Sequence, residues 1–182
     1  PVGSISIIAV ANGVPADSAT TLDFSAFNAG ASRASELPAD VRIGRPGATV
    51  AQDMEPEYVT ISADNSQAFV TLQENNAVAV VNLANNRIDR IIPMGYKNHG
   101  LAANAIAASD KVSATSPFVL KPYANLFGIY MPDGIASFSV NGTSYFITAN
   151  EGDDRDDFLP TGQKETIRVG SSSMVLSSSA FP

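Results

Sequence analysis

An acidic run, Glu151–Asp157, follows directly on the apolar segment SYFIT and is the densest group of ionisable side chains in the sequence. Ca²⁺ takes about six to eight oxygen ligands in a flexible geometry, and closely spaced carboxylates supply them. Gly152 permits a turn that would fold such carboxylates inward. We therefore predict a calcium site here, with a solvated acidic loop and a catalytic, substrate or partner site as the alternatives. The predicted metal ligands are Glu151, Asp153, Asp154, Asp156 and Asp157.

The negative charge of the chain is concentrated in this run. Its five acids and single base give a net charge of −4, out of −7 for all 182 residues. Such local acidity favours a site over a general solubility device. An acidic chain also lacks the basic surface that phosphate binding requires, so we predict no nucleic-acid partner.

A second polar site is predicted around the only histidine, His99, in the loop GYKNHGL. Lys97 lies in the same loop, and Asp110 is the nearest candidate for an acid partner. Glu74, from the polar cluster QENN, completes this set. A single histidine excludes sites built on several, including the multi-histidine metal centre of ordinary alkaline phosphatases. The alternative is a loop histidine that makes only local hydrogen bonds.

Composition and missing motifs exclude several chemistries. The chain has no cysteine, which rules out disulfides, thiolate nucleophiles, zinc ribbons and iron–sulfur clusters. The G-x-S-x-G elbow and the dinucleotide and P-loop fingerprints are absent from the sequence. No apolar run approaches the ~20 residues of a membrane helix, so we predict no membrane span in this chain.

The elements that must position these groups are short β-strands. They are rich in β-branched or aromatic residues, and ADNSQ, ENN, ANN and NGTS between them suit tight turns. Segments such as AVAVV are apolar on both faces, which indicates strands buried between stacked sheets. Short helices are predicted only at Phe24–Leu37 and Ala103–Asp110. The predicted strands are Ile5–Val10, Tyr58–Ser62, Ala68–Gln73, Ala77–Leu83, Arg87–Met94, Gly134–Val140 and Ser144–Asn150.

Part of the chain recurs. Residues 56–95 are predicted to form one four-stranded antiparallel meander. Its first half, PEYVTISADNSQAFVTLQENN, aligns with PDGIASFSVNGTSYFITANEGD when Pro56 is matched with Pro132 and, after one inserted residue, Glu74 with Glu151. A small sheet that is apolar on both faces must stack on copies of itself, so repeats of this kind predict a β-propeller. The clusters QENN and NEGD would then share one rim.

Seven segments between about Gly3 and Asp157 stand out, in this order: GSISII, ATVAQDMEPEYVTIS, AFVTLQENNAVAVVNL, IIPMGYKNHG, ASD, GIYMPDGIASF and YFITANEGDDRDD. In type and order they resemble the choice-of-anchor I family of bacterial secreted or surface β-propellers, which have a YVTN-type repeat. The resemblance implies an exported propeller that is often tethered at the cell envelope, and some relatives carry an alkaline-phosphatase label. Two family carboxylates are replaced here, by Asn98 and Ala107, which weakens any metal or catalytic role of those loops.

We accordingly predict an all-β fold, a partial β-propeller of about two to three four-stranded antiparallel blades with one or two short helices in insertions. The propeller domain would span residues 1–170, with a complete blade at about 56–95 and partial blades at about 3–25 and 132–170. Residues 171–182 would form a serine-rich loop or linker. Because a closed ring needs at least about four blades, three alternatives stand. The chain is a piece of a longer protein, several copies complete one another by self-association, or its open edges pack in some other way.

The predicted function is that of a secreted, periplasmic or cell-surface binding or scaffold module, non-enzymatic and supported by calcium. The alternative is a metal-dependent phosphomonoesterase, as some relatives are labelled. A phosphatase needs a nucleophile or a metal-bound hydroxide held by convergent ligands, whereas a scaffold needs only an ordered rim. The sequence shows no convergent set, so the scaffold leads. A third alternative is that other blades carry the activity and this segment supports them.

Overall fold

The computed structural model describes residues 1–109, 113–115 and 117–155, together with 160, 162, 166, 167, 175 and 177–179. Three predicted site residues, Asp110, Asp156 and Asp157, lie outside these positions, as does most of the predicted serine-rich segment 171–182. In the described residues, helix is confined to one single-turn α-helix, α1 (Val50–Asp53), and three 3-10 helices. The remaining regular structure is β-strand, so the predicted all-β class is confirmed.

The described strands form small antiparallel sheets. Four of them, β5 to β8, make the central sheet in the order in which they follow along the chain. The others pair as β1 with β4, β2 with β3, β9 with β10, and β11 with β12. The strands are β1 (Ser4–Ile7), β2 (Val10–Ala11), β3 (Val14–Pro15), β4 (Thr20–Asp23), β5 (Pro56–Ile61), β6 (Gln67–Leu72), β7 (Ala77–Asn82), β8 (Arg87–Pro93), β9 (Tyr96–Asn98), β10 (Phe127–Ile129), β11 (Pro132–Val140) and β12 (Thr143–Asn150).

Both faces of the two inner strands of the central sheet, β6 and β7, are buried, as their apolar runs predict. Alternate residues of β6 and β7 point to opposite sides. On one side Leu72 and Ala79 belong to the main core. On the other side Phe69 forms a smaller cluster on which Ile135 of β11 and Phe146 of β12 pack, with the Phe69 and Phe146 rings 5.2 Å apart. The main core also contains Phe24, Phe27, Val41, Ala51, Met54, Ala68, Val70, Ala77, Val81, Ile88 and Ile91, with Ile5, Ile7 and Leu22 packed against it.

Polar contacts also join β5 to β11 across the gap between the two sheets. The backbone nitrogen of Ser137 donates to Thr60 Oγ1 at 3.1 Å. The Ser137 hydroxyl donates to the carbonyl oxygen of Ile61 at 2.5 Å. The stacked sheets are therefore held by hydrogen bonds as well as by apolar packing.

A β-bulge in β8 puts Ile88 and Ile91 into the same core. Residues three apart in a regular strand would point to opposite faces. The register with β7 slips by one residue at Asp89, which is the extra residue of the bulge. The bulge thus adds an apolar contact that a regular strand could not make.

Arg33 stabilises this bulge from the segment before the sheet. Its guanidinium donates to the carbonyl oxygens of Ile88 at 2.6 Å and Asp89 at 2.7 Å. The same group lies 4.6 Å from the centre of the Phe27 ring and pairs with Glu36 at 2.7 Å. One side chain therefore satisfies carbonyl groups that the bulge takes out of the regular ladder.

Substitution of Arg33 by methionine should lower the free energy of unfolding by about 2–3 kcal/mol, because hydrogen bonds to a charged donor are worth about 1.5–3 kcal/mol. Urea denaturation measures the loss. Arg87→Met is the matched control, since Arg87 is 63% exposed and its pair with Asp89 lies on the surface; its loss should stay below about 1 kcal/mol. Equal losses in the two variants would show that the bulge does not depend on Arg33.

The hairpin of β11 and β12 repeats the geometry of β5 and β6. In both, a proline opens the first strand and a bulge follows directly. The bulge lies between Pro56 and Val59 in β5, and between Pro132 and Ile135 in β11. The predicted match of Pro56 with Pro132 therefore agrees with the strand pairing.

Strand pairing shows which residues of β6 and β12 are equivalent, and it corrects the predicted match of Glu74 with Glu151. The residues opposite the two prolines are Leu72 and Asn150. The next residues, Gln73 and Glu151, are therefore equivalent. The alignment of Glu74 with Glu151 is wrong by one residue.

The two predicted helices form only in part. Within Phe24–Leu37 the chain makes two 3-10 helices, Ser25–Phe27 and Ala34–Glu36. Near Ala103–Asp110 a third lies at Ala102–Asn104. Neither segment has the long apolar stripe that would extend a helix by packing, so each stops after one turn.

Candidate functional site

The turn QENN, residues 73–76, joins β6 to β7 and lies in the interior of the protein. The exposed fractions of Gln73, Glu74, Asn75 and Asn76 are 2, 5, 0 and 0%. Polar turn residues are ordinarily solvated, so polar groups buried here need partners within the protein. The turn consequently collects contacts from segments far apart in the chain.

Asn75 holds the segment before β5 against the turn. Its Nδ2 donates to the carbonyl oxygens of Arg42 at 2.9 Å and Asp53 at 3.0 Å. Its Oδ1 accepts from the backbone nitrogen of Glu55 at 3.1 Å. The backbone of Asn75 adds a bond from the nitrogen of Arg42 at 2.9 Å. The start of β5 is thereby fixed beside the turn.

Asn76 connects the central sheet to the start of β11. Its Oδ1 accepts from the backbone nitrogens of Tyr130 and Met131, both at 3.0 Å. Its Nδ2 donates to the carbonyl oxygen of Gly95 at 2.8 Å. The φ angle of 50° lies in the left-handed region, which asparagine adopts more readily than most residues. Asparagine thus meets both the backbone and the hydrogen-bonding requirement of this position.

A fully buried ion pair joins the acidic run to α1. Arg155 Nη1 donates to Asp53 Oδ1 at 2.8 Å, and both side chains are 0% exposed. Arg155 Nε lies 3.3 Å from Glu55 Oε1. Sequence reasoning missed both acids, because neither belongs to the acidic run.

The local sequence of α1 positions Asp53. Thr49 caps the helix and forms a capping box with Gln52, which satisfies backbone donors at the first turn. Asp53 at the last helical position then accepts from the backbone nitrogens of Gly44 at 3.0 Å and Arg45 at 2.8 Å. Its carboxylate is therefore surrounded by donors and serves a structural role.

Six carboxylates lie where β5 and β11 begin and β6 and β12 end, and we call this group the acidic rim. Gln73 Nε2 donates to Glu151 Oε2 at 2.6 Å, which joins the equivalent ends of the two hairpins. Glu57 and Asp133 occupy the two equivalent bulges. Burial raises the pKa of Glu57, and the neighbouring carboxylates raise it further. The members are Glu55, Glu57, Glu74, Asp133, Glu151 and Asp153.

Glu74 is the buried member of the acidic rim. Its Oε2 has no hydrogen-bond partner among the described residues. The pKa of Glu74 is raised to about 7, chiefly by burial and also by the charges of Glu55 and Glu57, while a backbone hydrogen bond within the residue and the charge of Arg155 act to lower it. The side chain is therefore largely protonated below neutral pH.

The raised pKa predicts that the protein loses stability as pH rises from about 4.5, the ordinary value, to about 7. In this window the unfolded chain ionises at Glu74 while the folded chain keeps its proton, so ionisation favours unfolding. Melting temperatures of the native chain and of Glu74→Gln, measured between pH 4.5 and 8, test this. The difference in melting temperature between the native chain and Glu74→Gln should change between pH 4.5 and about 7 and stay constant above that range. A difference that is constant with pH would contradict the assignment.

The predicted metal ligands take different places. Glu151 and Asp153 are exposed members of the acidic rim, whereas Asp154 accepts a hydrogen bond from the Thr166 hydroxyl at 2.5 Å. In the described part of the chain, no group of three or more His, Asp or Glu side chains is placed to hold a metal ion. Calcium binding therefore stays a prediction.

His99 makes local contacts. Its Nδ1 lies 2.8 Å from the carbonyl oxygen of Asn104, and since a carbonyl can only accept, Nδ1 carries the proton. Its Nε2 faces Gly128, where an added Cβ would lie 2.9 Å away. Glu74 belongs to the acidic rim, and the described contacts give no link between it and the loop of Lys97 and His99.

The fold and the acidic rim together define an all-β module of stacked antiparallel sheets. The sequence model of the choice-of-anchor I domain matches residues 1–181, and the chain belongs to that family. Membership makes it a surface-associated, anchoring-related module. No curated protein and no solved structure gives a significant match to the chain. Within the described residues, no helix combines the length and apolar character needed to cross a bilayer.

Proposed function

We propose that the chain is an extracytoplasmic β-propeller module that binds a cationic ligand at the acidic rim, with Ca²⁺ as the specific candidate. The function is binding or scaffolding, in a secreted, periplasmic or cell-surface setting that family membership supports. The observation that carries the proposal is the 2.6 Å contact of Gln73 with Glu151, which brings carboxylates of two stacked sheets to one end of the stack.

The way the sheets stack supports the propeller. Val59 and Val70 of the first hairpin face the main core, on the side of the segment that precedes the sheet. Their equivalents in the second hairpin, Ile135 and Thr148, lie on the face turned toward the central sheet. Each unit thus turns the same face toward the unit before it, as blades do around a common axis.

The chemistry of the acidic rim favours a cation. The charges of Asp133, Glu55, Glu151 and Asp153 add to the burial that raises the pKa of Glu57, and a bound cation would relieve this repulsion. Ca²⁺ accepts flexible oxygen sets that include backbone carbonyls and waters. Because the described carboxylates do not already surround one point, binding requires Glu57, Asp133 and Glu151 to turn toward a shared ion.

The phosphomonoesterase alternative has less support from the described residues. Asp53 and Arg155 are fully buried and paired with each other, so neither is accessible to a substrate. His99 directs its protonated Nδ1 at a backbone carbonyl. No observation on the described groups favours a hydrolytic centre over a binding rim.

Calcium should raise the melting temperature of the purified chain, and chelator should reverse the increase. At a free concentration of about 100 times Kd the expected stabilisation is about 2.7 kcal/mol. The double substitution Glu57→Gln with Asp133→Asn should remove the increase, because it takes two carboxylates from the rim. Differential scanning calorimetry and isothermal titration with Ca²⁺ measure both effects.

Asp64→Asn is the matched control for this experiment. Asp64 is an exposed acid in the β5–β6 turn, at the opposite end of these strands from the acidic rim. The calcium effect should survive this substitution. A melting temperature of the native chain that is indifferent to calcium would refute the cation site, as would an equal loss of the effect in Asp64→Asn.

A further inference from the structure

The two-stranded sheets at either end of the stack correspond to the two halves of the central sheet. By the shared bulge and pairing, β11 and β12 are equivalent to β5 and β6, the first two strands. The remaining half is represented by β1 and β4. Ile5 pairs with Leu22 just as Val78 of β7 pairs with Ile92 of β8, and SISII in β1 follows the pattern of AVAVV in β7.

The faces agree with this correspondence. Val78 and Ile92 point to the side of the central sheet that carries the following unit. Ile5 and Leu22 likewise point to the unit that follows them, which is the central sheet itself. β1 and β4 therefore lie as the third and fourth strands of a sheet whose first and second strands are missing from the described residues beside them.

An apolar groove marks the place where those two strands would lie. It has a volume of about 390 Å³ and runs along β1 over the first two strands of the central sheet. Val59 and Ile61 in its wall are 58 and 51% exposed.

The outer face of β11 and β12 has the matching character. Ala136 pairs with Ile147, and Phe138 pairs with Tyr145, so these four side chains share one face. The rings of Phe138 and Tyr145 stack at 5.5 Å, yet Phe138, Tyr145 and Ile147 are 47, 47 and 64% exposed. Exposed apolar side chains clustered on one face indicate an interaction surface.

We propose that copies of this chain assemble head to tail, with β11 and β12 of one copy joining β1 and β4 of the next copy to complete a four-stranded sheet. Among the described residues, β12 pairs only with β11 and β1 only with β4. In the assembly the second edge of β12 pairs with the second edge of β1, so backbone hydrogen bonds close both edges. The face carrying Phe138, Tyr145 and Ile147 then covers the groove of the second copy. The interface continues the sheet-on-sheet packing that already joins β11 and β12 to the central sheet within one chain.

The complete sheet also sets the register of the joint. Phe69 pairs with Val80 between β6 and β7, and the equivalents are Ile147 in β12 and Ile7 in β1. Leu83 N donates to Ser66 O at 3.0 Å, so the alternation of the ladder makes Phe69 and Val80 a non-hydrogen-bonded pair with close side chains. Ile147 and Ile7 of the next copy should therefore be close neighbours on one face.

The arrangement limits the number of copies. The described strands of this stack make up one complete sheet and two halves in each copy, which amounts to two sheets. Propellers close with about four to eight blades, so about two to four copies would close a ring. The joint is heterologous, which means that it brings together two different surfaces of the chain. Repetition of the same rotation at each joint therefore closes a ring of copies.

Cysteine cross-linking tests the joint directly, because the native chain has no cysteine. Under mild oxidation, most molecules of the chain carrying both Ile7→Cys and Ile147→Cys should become part of covalent multimers. An intramolecular bond cannot compete, since β1 and β12 lie on opposite sides of the central sheet. A mixture of the two single variants should give covalent dimers, and each variant alone should give none.

Ile8→Cys with Ile147→Cys is the control, because Ile8 lies just beyond the end of β1, outside the proposed pair with Ile147, and should cross-link several-fold less. Light scattering on the native chain should give two to four times the 19.0 kDa of one copy. Circular dichroism confirms that each variant keeps its strands. A native mass of 19.0 kDa at all concentrations would overturn the proposal and would favour further strands of the same polypeptide as the occupant. Equal cross-linking in the control would overturn the proposed register.

Discussion

Replacing Asp53 with alanine should lower the free energy of unfolding by about 3–5 kcal/mol, because it breaks a buried ion pair from one side. The guanidinium of Arg155 would keep its charge in the interior after its 2.8 Å partner had gone. The backbone nitrogens of Gly44 and Arg45 would lose their acceptor as well. Since domains are stable by only about 5–15 kcal/mol, this substitution should bring the chain close to unfolding at room temperature. Urea denaturation followed by circular dichroism measures the loss.

The exposed acid Asp17 provides the control. Asp17→Ala should change the free energy of unfolding by less than about 0.5 kcal/mol. A double-mutant cycle with Arg155→Ala should give a coupling energy well above about 1 kcal/mol, since the two side chains touch. If Asp53→Ala were as stable as Asp17→Ala, the ion pair would have no structural importance.

Asn76→Ala should lower the free energy of unfolding by about 3 kcal/mol or more. The substitution removes the acceptor of two backbone nitrogens, Tyr130 and Met131, and the donor to Gly95. A buried polar group left without a partner costs about 1–3 kcal/mol. The start of β11 should loosen first, because two of the three bonds hold it. Denaturation curves give the total loss, and hydrogen exchange locates it.

Asn86→Ala separates these hydrogen bonds from backbone strain. Asn86 has a φ of 48°, close to the 50° of Asn76, but it is exposed in the β7–β8 turn. Alanine in the left-handed region is strained by about 1 kcal/mol at either position. The difference in free energy of unfolding between the two variants therefore measures the contribution of the buried hydrogen bonds. Equal losses would mean that strain alone accounts for the effect at Asn76.

The strands could be predicted from the sequence because their apolar pattern is local. The meander of residues 56–95 and the burial of both faces of its inner strands follow from β-branched runs separated by turn residues. The shorter pairs β2–β3 and β9–β10 were missed, since two or three residues are too few to show a pattern. The helix α1 carried a readable signal in TVAQ, a threonine followed three residues later by glutamine.

The one-residue error in the repeat has a definite cause. Six residues separate Ile61 from Ala68, whereas eight separate their equivalents Ser137 and Phe146. Allowing one inserted residue instead of two made Phe69 and Phe146 look equivalent. A shift of one residue moves a side chain to the opposite face of a sheet, and the two rings in fact meet across the gap between sheets.

The acidic rim could be predicted only in part. Glu151 and Asp153 stood out because they are close in sequence to other acids. Asp53 is 102 residues from Arg155, and no local sequence pattern around either residue predicts that they form a pair. The turn QENN was expected at a rim, yet its burial depends on segments before β5 and after β10 that fold over it.

The hydrogen bonds of Ser137 to Thr60 and Ile61 affect how the stacked sheets can move. Apolar contact resists separation of two sheets but allows them to slide, because dispersion forces have little directionality. Bonds at a fixed position along β5, together with those of Asn76 directly before β7, oppose sliding of the sheets at two points. Shear between neighbouring sheets is therefore blocked, and the angle between them should be constant under mechanical load.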